Sequence, residues 1–536
     1  MMGREWMRGM PLRRLVSCCV VFVLLAGCGS PQAESTNEPA AAASPKNLYF
    51  GDLHNHNSIG QIKGSLERTF EIATSHLDFF AFTPQSQWPD MREIPDGRNA
   101  QFERGFQAVV DNWPKIQDLT ASVNKPGEFA AFLGYEVHYN DGDFNIIYPG
   151  ADGELVHLKT IEDWQNHARE TGAILIPHHP GYLPFWRGWD WSRLDPEVSP
   201  VVEMMSEHGN AESDRSPIRY IRHSMGGRYT KSTVQWLWKT GMRAGVIASP
   251  DDHLGYPGAY GQGLAAVWAD ELTPESIMEA IKARRTYAVN ADRIELDFKL
   301  NGRWMGESAP AVGSREIAVR VKGEDVVDRV ELLRNNRVIH RVHPIDLEPN
   351  EASWNEPVLV RVEYGWGPWA DFNMPRTADW RFRINVKGGE LLGVSPHFQS
   401  RPFDENRRDK LSVTDQSVEL TSYTSRLQAY EEKATKDIVI EIAGSPETEI
   451  TMELSAPARM TFSKTLGELA ESNDILFTGE FSSESVMFHR VVFADNYQAE
   501  FKYSDTESTS DGWYQVRVAQ TNGSYAWSSP IWLGGQ

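Results

Sequence analysis

The chain has 536 residues, more than one hydrophobic core can organise, so we expect about two or three domains. Charged residues make up 24% of it and hydrophobic residues 40%, the proportions of a globular protein, which excludes a disordered chain and a bundle of membrane helices. The net charge of −21 at pH 7 argues against a nucleic-acid partner, because phosphate binding requires a basic surface.

The N-terminus has the pattern of an export signal over residues 1–27. Basic residues precede an apolar run from Leu15 to Ala26 that is too short to span a bilayer. The sequence Leu-Ala-Gly-Cys28 resembles a bacterial lipobox, in which the cysteine is diacylated and becomes the first residue of the mature chain. We therefore expect an envelope protein, lipid-anchored at Cys28 on the outer membrane or the periplasmic face. A plain secretory signal is the alternative.

Residues 28–46 are rich in Pro, Ala, Ser and Glu without periodicity, which predicts a flexible tether. From residue 47 to 293, short apolar runs alternate with amphipathic helical patterns, as in a parallel sheet or an α/β barrel. Ser65, Thr160 and Thr273 are predicted to cap helices, and Gly172 to end the second of them. The predicted strands share short apolar runs, at residues 48–50, 77–82, 129–133, 173–177, 244–249 and from 201 onwards.

Histidines and carboxylates follow these predicted strands. His54 and His56 lie two residues apart on an extended backbone, so both imidazoles point to the same side. Other strand ends carry further candidate ligands, at Glu136, His138, His178, His179, His208, Asp251 and His253. In a parallel barrel the loops after the strands share one rim, so we expect these side chains to converge. A lone His-x-His is also compatible with two structural histidines.

Such a set of ligands suits one to three divalent transition metals, Zn²⁺, Mn²⁺ or Fe²⁺. Imidazoles and carboxylates are the ligands these ions take, and the absence of thiolates around them argues against a closed structural zinc. A metal lowers the pKa of a bound water towards neutrality and stabilises a negatively charged leaving group, which is what ester hydrolysis requires.

Four motifs resemble those of the PHP (polymerase and histidinol phosphatase) superfamily: Asp-Leu-His54-Asn-His56, the strand end at Glu136, Pro-His178-His179-Pro, and Ser-Pro-Asp251-Asp-His253. The chain is more closely similar to the DUF3604 family of PHP-like proteins, through segments 49–54, 207–212, 283–288 and 526–532. The resemblance implies an α/β fold with a distorted (β/α)7 barrel that binds up to three metals. It implies metal ligands at His54, His56, Glu136, His178, Asp251 and His253, with His208 as a further candidate.

One position departs from the superfamily pattern. After the strand at residues 77–82 the superfamily has Thr-Asp-His, whereas this chain has Thr83-Pro84-Gln85. Gln85 does not replace an imidazole ligand and Pro84 supplies no carboxylate. Two interpretations follow: a reduced metal cluster that still catalyses, or a site that has lost catalysis and kept binding.

We therefore expect a metal-dependent hydrolase of a phosphoester or related ester, acting through a metal-bound hydroxide on a small-molecule or glycan-like substrate. Asp251 and His179 are the expected catalytic residues, His179 as a general acid. Trp186 is a candidate substrate contact, or it packs over the mouth of the site. Arg285 either binds a substrate anion or only meets the negative end of its helix. The alternative function is a non-catalytic envelope protein that binds, for example, glycans.

Beyond residue 294 the apolar periodicity changes to two, which predicts β-sandwich material to residue 536. Asn335-Asn336 and Asn522-Gly523 are predicted hairpin turns. Residues 401–410 are a predicted loop or insertion, and the glycine-rich segment 255–263 a predicted flexible lid. This half serves as structural support or contacts carbohydrate through Trp366 and Trp369. Its four histidines are dispersed in sequence.

Overall fold

The structure is a computed structural model that describes residues 46–60, 62–221, 225–311, 313–367, 373–426, 434–507 and 511–534. The predicted export signal, Cys28, the tether up to residue 45 and Trp369 lie outside these ranges. Asn47–Gln536 form one compact unit, and the domain boundary at residue 294 stays a prediction. Among the described residues, no helix has the length and apolarity needed to cross a bilayer.

Helices lie mainly in the first half and begin where side chains cap them. The α-helices are α1 Leu66–His76, α2 Asn99–Val123, α3 Ile161–Thr171, α4 Val234–Lys239, α5 Pro274–Lys282, α6 Leu466–Glu471 and α7 Ala494–Tyr497. Short 3₁₀ helices span Pro95–Gly97, Trp191–Arg193, Thr230–Ser232, Pro344–Asp346 and Glu351–Asn355.

The predicted caps are confirmed. The hydroxyls of Ser65, Thr160 and Thr273 each accept a backbone N–H three residues on, and Gly172 ends α3 in the left-handed conformation at φ 74°. The sequence patterns do not predict α2, which contains a proline, Pro114, in its interior.

The strands of the first half carry the candidate ligands. They are β1 Asn47–Asp52, β2 Phe79–Phe82, β3 Gln85–Gln87, β4 Ala130–Val137, β5 Phe144–Ile147, β6 Ile174–Pro177, β7 Val201–Ser206, β8 Gly209–Asn210, β9 Gly245–Ala248, β10 Leu264–Ala269 and β11 Thr286–Val289. All six strands predicted here are present, with shifted ends.

The sheet is mixed rather than parallel, which corrects the expectation of a parallel arrangement. Strands β1, β2 and β4 are parallel neighbours, as are β7 and β9. By contrast β10 runs antiparallel to β1, and β5 antiparallel to both β4 and β6. The reason is that β4 turns back directly into β5 and that β10 returns along β1, and neither connection is visible in an apolar pattern.

The strands of the second half form sheets that pack on one another. They are β12 Glu295–Leu300, β13 Arg303–Trp304, β14 Ser308–Ala309, β15 Arg315–Lys322, β16 Val327–Arg334, β17 Arg337–Val342, β18 Val358–Gly365, β19 Thr377–Lys387, β20 Glu390–His397, β21 Lys410–Val413, β22 Ser417–Ser425, β23 Lys436–Ala443, β24 Glu449–Ala456, β25 Met460–Thr465, β26 Asp474–Phe477, β27 Ser485–Phe488, β28 Gln498–Asp505, β29 Trp513–Gln520, β30 Tyr525–Ser528 and β31 Ile531–Leu533.

Two five-stranded sheets, β20-β23-β18-β27-β26 and β21-β22-β19-β24-β25, enclose one apolar core, as in a β-sandwich. Strand pairing also joins the two halves of the chain. Strand β30 of the second half pairs with β11 of the first half and so extends the sheet that contains β1. The described residues therefore form an α/β, strand-rich fold. The hairpin turn at Asn335-Asn336 is confirmed, with φ of 49° and 64°.

The glycine-rich segment 255–263 is packed, so the prediction of a flexible lid is wrong. Tyr256 and Ala259 are buried in the core of the sandwich. The Gly258 N–H donates to a carboxylate oxygen of Asp52, 3.0 Å away, and the Tyr260 N–H donates to the Phe398 carbonyl at 2.8 Å. This segment therefore fixes the end of β1 against the second half of the chain.

Candidate metal centre

The centre is built on the turn that follows β1. Asp52, the last residue of the strand, is fully buried. One of its carboxylate oxygens accepts the His54 N–H at 2.8 Å, and the other accepts the Asn55 side-chain amide at 3.2 Å. Asp52 thus orients the backbone that carries His54 and His56 into the centre.

His54, His56 and Asp251 bring three ligand atoms together, and we call them the His54 group. The Nε2 atoms of the two histidines are 3.1 Å apart. Asp251 Oδ1 lies 2.9 Å from His56 Nε2 and 3.3 Å from His54 Nε2. Ligands about 2.0–2.1 Å from a tetrahedral ion are separated by about 3.3 Å, so these distances suit a small divalent cation.

The protonation states of the group favour a cation. Burial lowers the pKa of both His54 and His56 to about 4, so both imidazoles are neutral at pH 7. Burial disfavours the ionised form of Asp251, but His54 and His253 outweigh it and hold the pKa of this carboxyl well below its usual value. Two neutral imidazoles and a carboxylate that meet at one point are a ligand set for a metal.

Glu203 on β7 orients His54. Its Oε2 lies 2.9 Å from His54 Nδ1, and both side chains are buried. In the tautomer whose Nδ1–H donates to Glu203, the His54 Nε2 lone pair points into the His54 group, the arrangement by which carboxylates orient metal-bound histidines. Burial raises the pKa of Glu203 well above its usual value, and the neighbouring His178 only partly offsets this.

Glu136, at the end of β4, lies next to the His54 group. Its Oε1 is 2.7 Å from His178 Nε2, and its Oε2 is 3.1 Å from His138 Nε2 and 3.6 Å from His56 Nε2. Burial disfavours its ionised form, but His138 and His178 outweigh this and keep the pKa of Glu136 well below its usual value. Glu136 therefore lies within reach of histidines of both the His54 group and the strand ends next to it.

A second set of ligand atoms lies beside it, at Glu136, His138 and Asp143, which we call the Asp143 group. Asp143 is fully buried, and its Oδ2 pairs with the Arg187 guanidinium and lies 3.3 Å from His179 Nε2. Burial opposes ionisation of Asp143, but Arg187 outweighs it and holds the pKa of the carboxyl well below its usual value. Asp143 is therefore an anion at neutral pH.

The remaining histidines surround Asp251. His208 Nε2 lies 3.1 Å from Asp251 Oδ2, and its Nδ1 is hydrogen-bonded to the Tyr182 hydroxyl at 2.8 Å. The His253 ring packs 4.8 Å from that of His56, with its Nδ1 2.8 Å from Glu207 Oε1. His253 therefore pairs with a carboxylate of its own at the edge of the centre.

Several buried polar atoms of the centre have no hydrogen-bond partner among the described residues. They include both ring nitrogens of His138 and His179, together with Glu136 Oε2, Glu203 Oε1 and Asp251 Oδ2. Buried polar atoms are normally satisfied, because an unsatisfied one costs about 1–3 kcal/mol. Some of these atoms still lie 3.1–3.3 Å from another side chain of the centre, and the carboxylate oxygens and ring nitrogens together are able to hold metal ions.

Backbone strain also marks this centre. Asp251 and His179 both have positive φ, 56° and 29°, although neither is a glycine. Such conformations cost about 1–3 kcal/mol and are kept where the surroundings fix a side chain for function.

Comparisons with known proteins give relatives but no established activity. No family model matches the chain. An uncharacterized protein of Chlamydia trachomatis is 28% identical over 386 residues, which cover 66% of this chain and 58% of that protein. An uncharacterized protein of Chlamydia pneumoniae is 23% identical over 337 residues, which cover 56% and 50%. The chain thus spans about half the length of the curated relatives it matches.

A solved structure is also similar, that of a two-domain protein from Bacteroides vulgatus described as containing a predicted PHP-like metal-dependent phosphoesterase. It is 13% identical, and the match covers 82% of this chain and all of that one, with a TM-score of 0.31. That score is too low to establish a common fold. The chain itself carries buried His, Asp and Glu groups able to hold metal ions.

The structure brings most of the predicted site residues together at one place. His54, His56, Glu136, His178, His179, His208, Asp251 and His253 lie in one continuous network of close contacts. Burial and the neighbouring His178 lower the pKa of His179 well below its usual value. The remaining N–H of a neutral imidazole is a very weak acid, which disfavours the predicted role of His179 as a general acid.

Of the two predicted substrate contacts, Arg285 lies elsewhere, whereas the role of Trp186, the chain neighbour of Arg187, stays a prediction. Arg285 is at the opposite end of the sheet, because its carbonyl accepts the N–H of Trp268, which pairs with Leu48 at the start of β1. This position corrects the expectation that Arg285 binds a substrate anion at the centre. The Trp186 ring is 52% exposed and stacks on Arg92, so it lies on the surface of its loop.

Sequence reasoning missed Glu203, Asp143 and Arg187. Glu203 carried a signal, since it is an acidic residue inside a buried apolar strand, where ionisable groups are normally paired. Asp143 lies next to β5, and Arg187 lies in the loop that also carries Trp186. Their convergence depends on the antiparallel return of β5, which the sequence pattern does not reveal.

Proposed function

We propose that the chain is a metal-dependent hydrolase that acts on a phosphoester or a related ester. The observation that carries the proposal is the His54 group, in which two neutral imidazole nitrogens and a carboxylate oxygen lie 2.9–3.3 Å from one another. A divalent transition metal such as Zn²⁺, Mn²⁺ or Fe²⁺, when bound there, supplies Lewis acidity and lowers the pKa of a water towards neutrality.

The surrounding residues orient the candidate ligands and set the charge around them. Glu203 holds the His54 ring, and Asp52 holds the backbone of the same histidine. Arg187 supplies a positive charge beside the anionic Asp143, where an ester anion binds more readily than among carboxylates alone.

The resemblance to PHP proteins supports the choice of a phosphoester and of a distorted (β/α)7 barrel as the complete architecture. Gln85, which stands where the superfamily has a histidine, starts the short strand β3 beside Glu136. We infer a reduced cluster of metals that retains catalysis, since the His54 group does not depend on that position.

Turnover by the full chain tests the proposal. The chain is loaded with Zn²⁺, Mn²⁺ or Fe²⁺ and screened against phosphate, sulfate and carboxylate esters of p-nitrophenol. We expect hydrolysis of at least one ester, abolished by a chelator and by His54→Ala. His343→Ala is the matched control, because His343 is an exposed histidine that directly precedes a 3₁₀ helix of the second half.

Two outcomes would count against the proposal. Equal turnover in His54→Ala and in the wild type would place the activity outside the His54 group. A chain that holds metal and binds glycans equally well with and without His54, while hydrolysing none of the esters, would favour the alternative of a non-catalytic envelope binding protein.

We also propose that the chain is lipid-anchored at Cys28 in a bacterial envelope. The support is the lipobox-like Leu-Ala-Gly-Cys28 that closes an apolar run after basic residues. Metabolic labelling with a palmitate analogue tests it: the expected label on the wild type is lost in Cys28→Ser, and equal labelling of both would contradict the anchor.

A further inference from the structure

A guanidinium lies beside the carboxylates of the Asp143 group. Arg187 pairs with Asp143 Oδ2, and its Nη2 is 4.0 Å from Glu136 Oε1. Both carboxylates belong to the Asp143 group. The positive charge of Arg187 is therefore paired with Asp143 and close to Glu136, two of the three residues of this group.

Arg187 is fixed in this position. Its backbone N–H donates to the Asn140 carbonyl at 2.9 Å, and its guanidinium packs on the Trp88 ring with 5.4 Å to the ring centre. Its φ is 67°, a left-handed conformation that a non-glycine residue adopts only when its surroundings impose it. The backbone and the ring contact of Arg187 thus fix its guanidinium next to the carboxylates.

The His54 group differs in this respect. Among the ion pairs of the described residues, Asp251 contacts histidines alone, and so does Glu203. No arginine or lysine within that part of the chain competes with a metal there. The two groups have similar ligands, but among the described residues only the Asp143 group pairs with an arginine; the cations that face Asp251 are the imidazoles of His178 and His253, which are able to lose their proton to solvent.

Placing a divalent cation and a guanidinium on the same carboxylate oxygen is energetically unfavourable. Both are positive and both need the Asp143 lone pairs, and their mutual repulsion is strong in a buried site where little water screens it. With Arg187 in place, the Asp143 carboxylate is already paired with a cation and the charge of Glu136 is partly offset. A metal gains less there than at the His54 group.

We propose that Arg187 is a built-in cation that excludes a metal ion from the Asp143 group and so confines metal binding to the His54 side of the centre. The inference rests on the proposed function, since it concerns the same site. It is also consistent with Gln85 in place of a superfamily ligand, since part of the positive charge that a further metal ion would bring is supplied by Arg187.

The test is metal stoichiometry of the full chain. Wild type and Arg187→Met are saturated with Zn²⁺ or Mn²⁺, desalted and analysed by inductively coupled plasma mass spectrometry. We expect Arg187→Met to retain about one ion more per chain than the wild type, because the Asp143 group is then free. Arg187→Lys keeps the positive charge and is expected to match the wild type. Arg92→Met, an arginine that stacks on Trp186 outside the centre, is the control.

A second variant keeps the inference testable if Arg187→Met does not fold. Asp143→Asn in the wild-type background is expected to leave the stoichiometry unchanged, because Asp143 serves the guanidinium and not a metal. Loss of one ion in Asp143→Asn, or equal stoichiometry in Arg187→Met and the wild type, would overturn the inference.

Failure of the proposed function has a separate signature. A wild-type chain that retains no ion contradicts the metal-dependent hydrolase. In that case an ion gained by Arg187→Met still supports the role of Arg187, and no gain overturns it.

Discussion

The stability of the chain is expected to depend on pH through His397, a buried histidine far from the metal centre. Its Nδ1 lies 2.6 Å from Asp437 Oδ1, its Nε2 lies 2.9 Å from Glu324 Oε2, and the Tyr260 ring stacks on it. Burial opposes the charged imidazolium, but Asp437 and Glu324, followed by Asp292, outweigh it and raise the pKa of His397 to about 9.

The sign and size of the effect follow from linkage. The pKa is about 9 in the folded chain against an ordinary value of 6.5. A raised pKa means that the contribution of His397 to the free energy of unfolding is fully present below pH 6.5 and is lost as the pH rises through 9. At about 1.4 kcal/mol per pKa unit, the contribution is about 3 kcal/mol.

The perturbation is His397→Gln, which removes the titrating group and keeps a polar side chain. Urea unfolding of the full chain is followed by tryptophan fluorescence at several pH values from 6.5 to 10. We expect the difference in unfolding free energy between wild type and His397→Gln to shrink by about 3 kcal/mol across that range. His489→Gln, at a half-buried histidine paired with Glu363, is the control for a histidine substitution in the same half.

A difference that stays constant from pH 6.5 to 10 would refute this reasoning. It would mean that the imidazole of His397 is neutral in the folded chain, and that the carboxylates around it do not outweigh its burial.

Three further substitutions, one of them with a matched control, test the orientation of His54, the cap of α1 and the packing of β1 on β2. Glu203→Gln is expected to weaken metal binding about 10- to 100-fold in a chelator competition assay, because Glu203 orients His54. Ser65→Ala removes the cap of α1 and is expected to lower the free energy of unfolding by about 1 kcal/mol in urea titrations. Gly51→Ala would drive a Cβ into a phenylalanine of β2 and is expected to cost about 3 kcal/mol, whereas Gly150→Ala, with open space around it, is expected to be nearly neutral.

For each of these three predictions, one result would contradict it. Unchanged metal affinity in Glu203→Gln would show that His54 is oriented without that carboxylate. An unfolding midpoint of Ser65→Ala equal to that of wild type would show that α1 does not depend on its cap. Equal stability of the two glycine variants would show that β1 and β2 are not in close contact at residue 51.

The sequence predicts features that depend on neighbouring residues. The caps at Ser65 and Thr160 and the turn at Asn335-Asn336 are set by a few residues, and all three are present. The strand-end histidines were also visible, since polar residues interrupt apolar runs there. The helix α2 was not, because Pro114 interrupts its pattern.

Features that depend on distant pairing were not predictable. The antiparallel returns of β5 and β10 decide that Asp143 joins the centre and that Arg285 does not. The His397 cluster shows the same limit. Its histidine appeared dispersed in sequence, yet the packing of the two halves brings Asp292 and Asp437 to it.

The most direct test of the metal centre is a crystal structure of the full chain with Zn²⁺ and an anomalous difference map at the zinc edge. The account predicts a peak about 2.0–2.2 Å from His54 Nε2, His56 Nε2 and Asp251 Oδ1. A map with no peak among these three atoms, or with zinc bound only elsewhere on the chain, would contradict it.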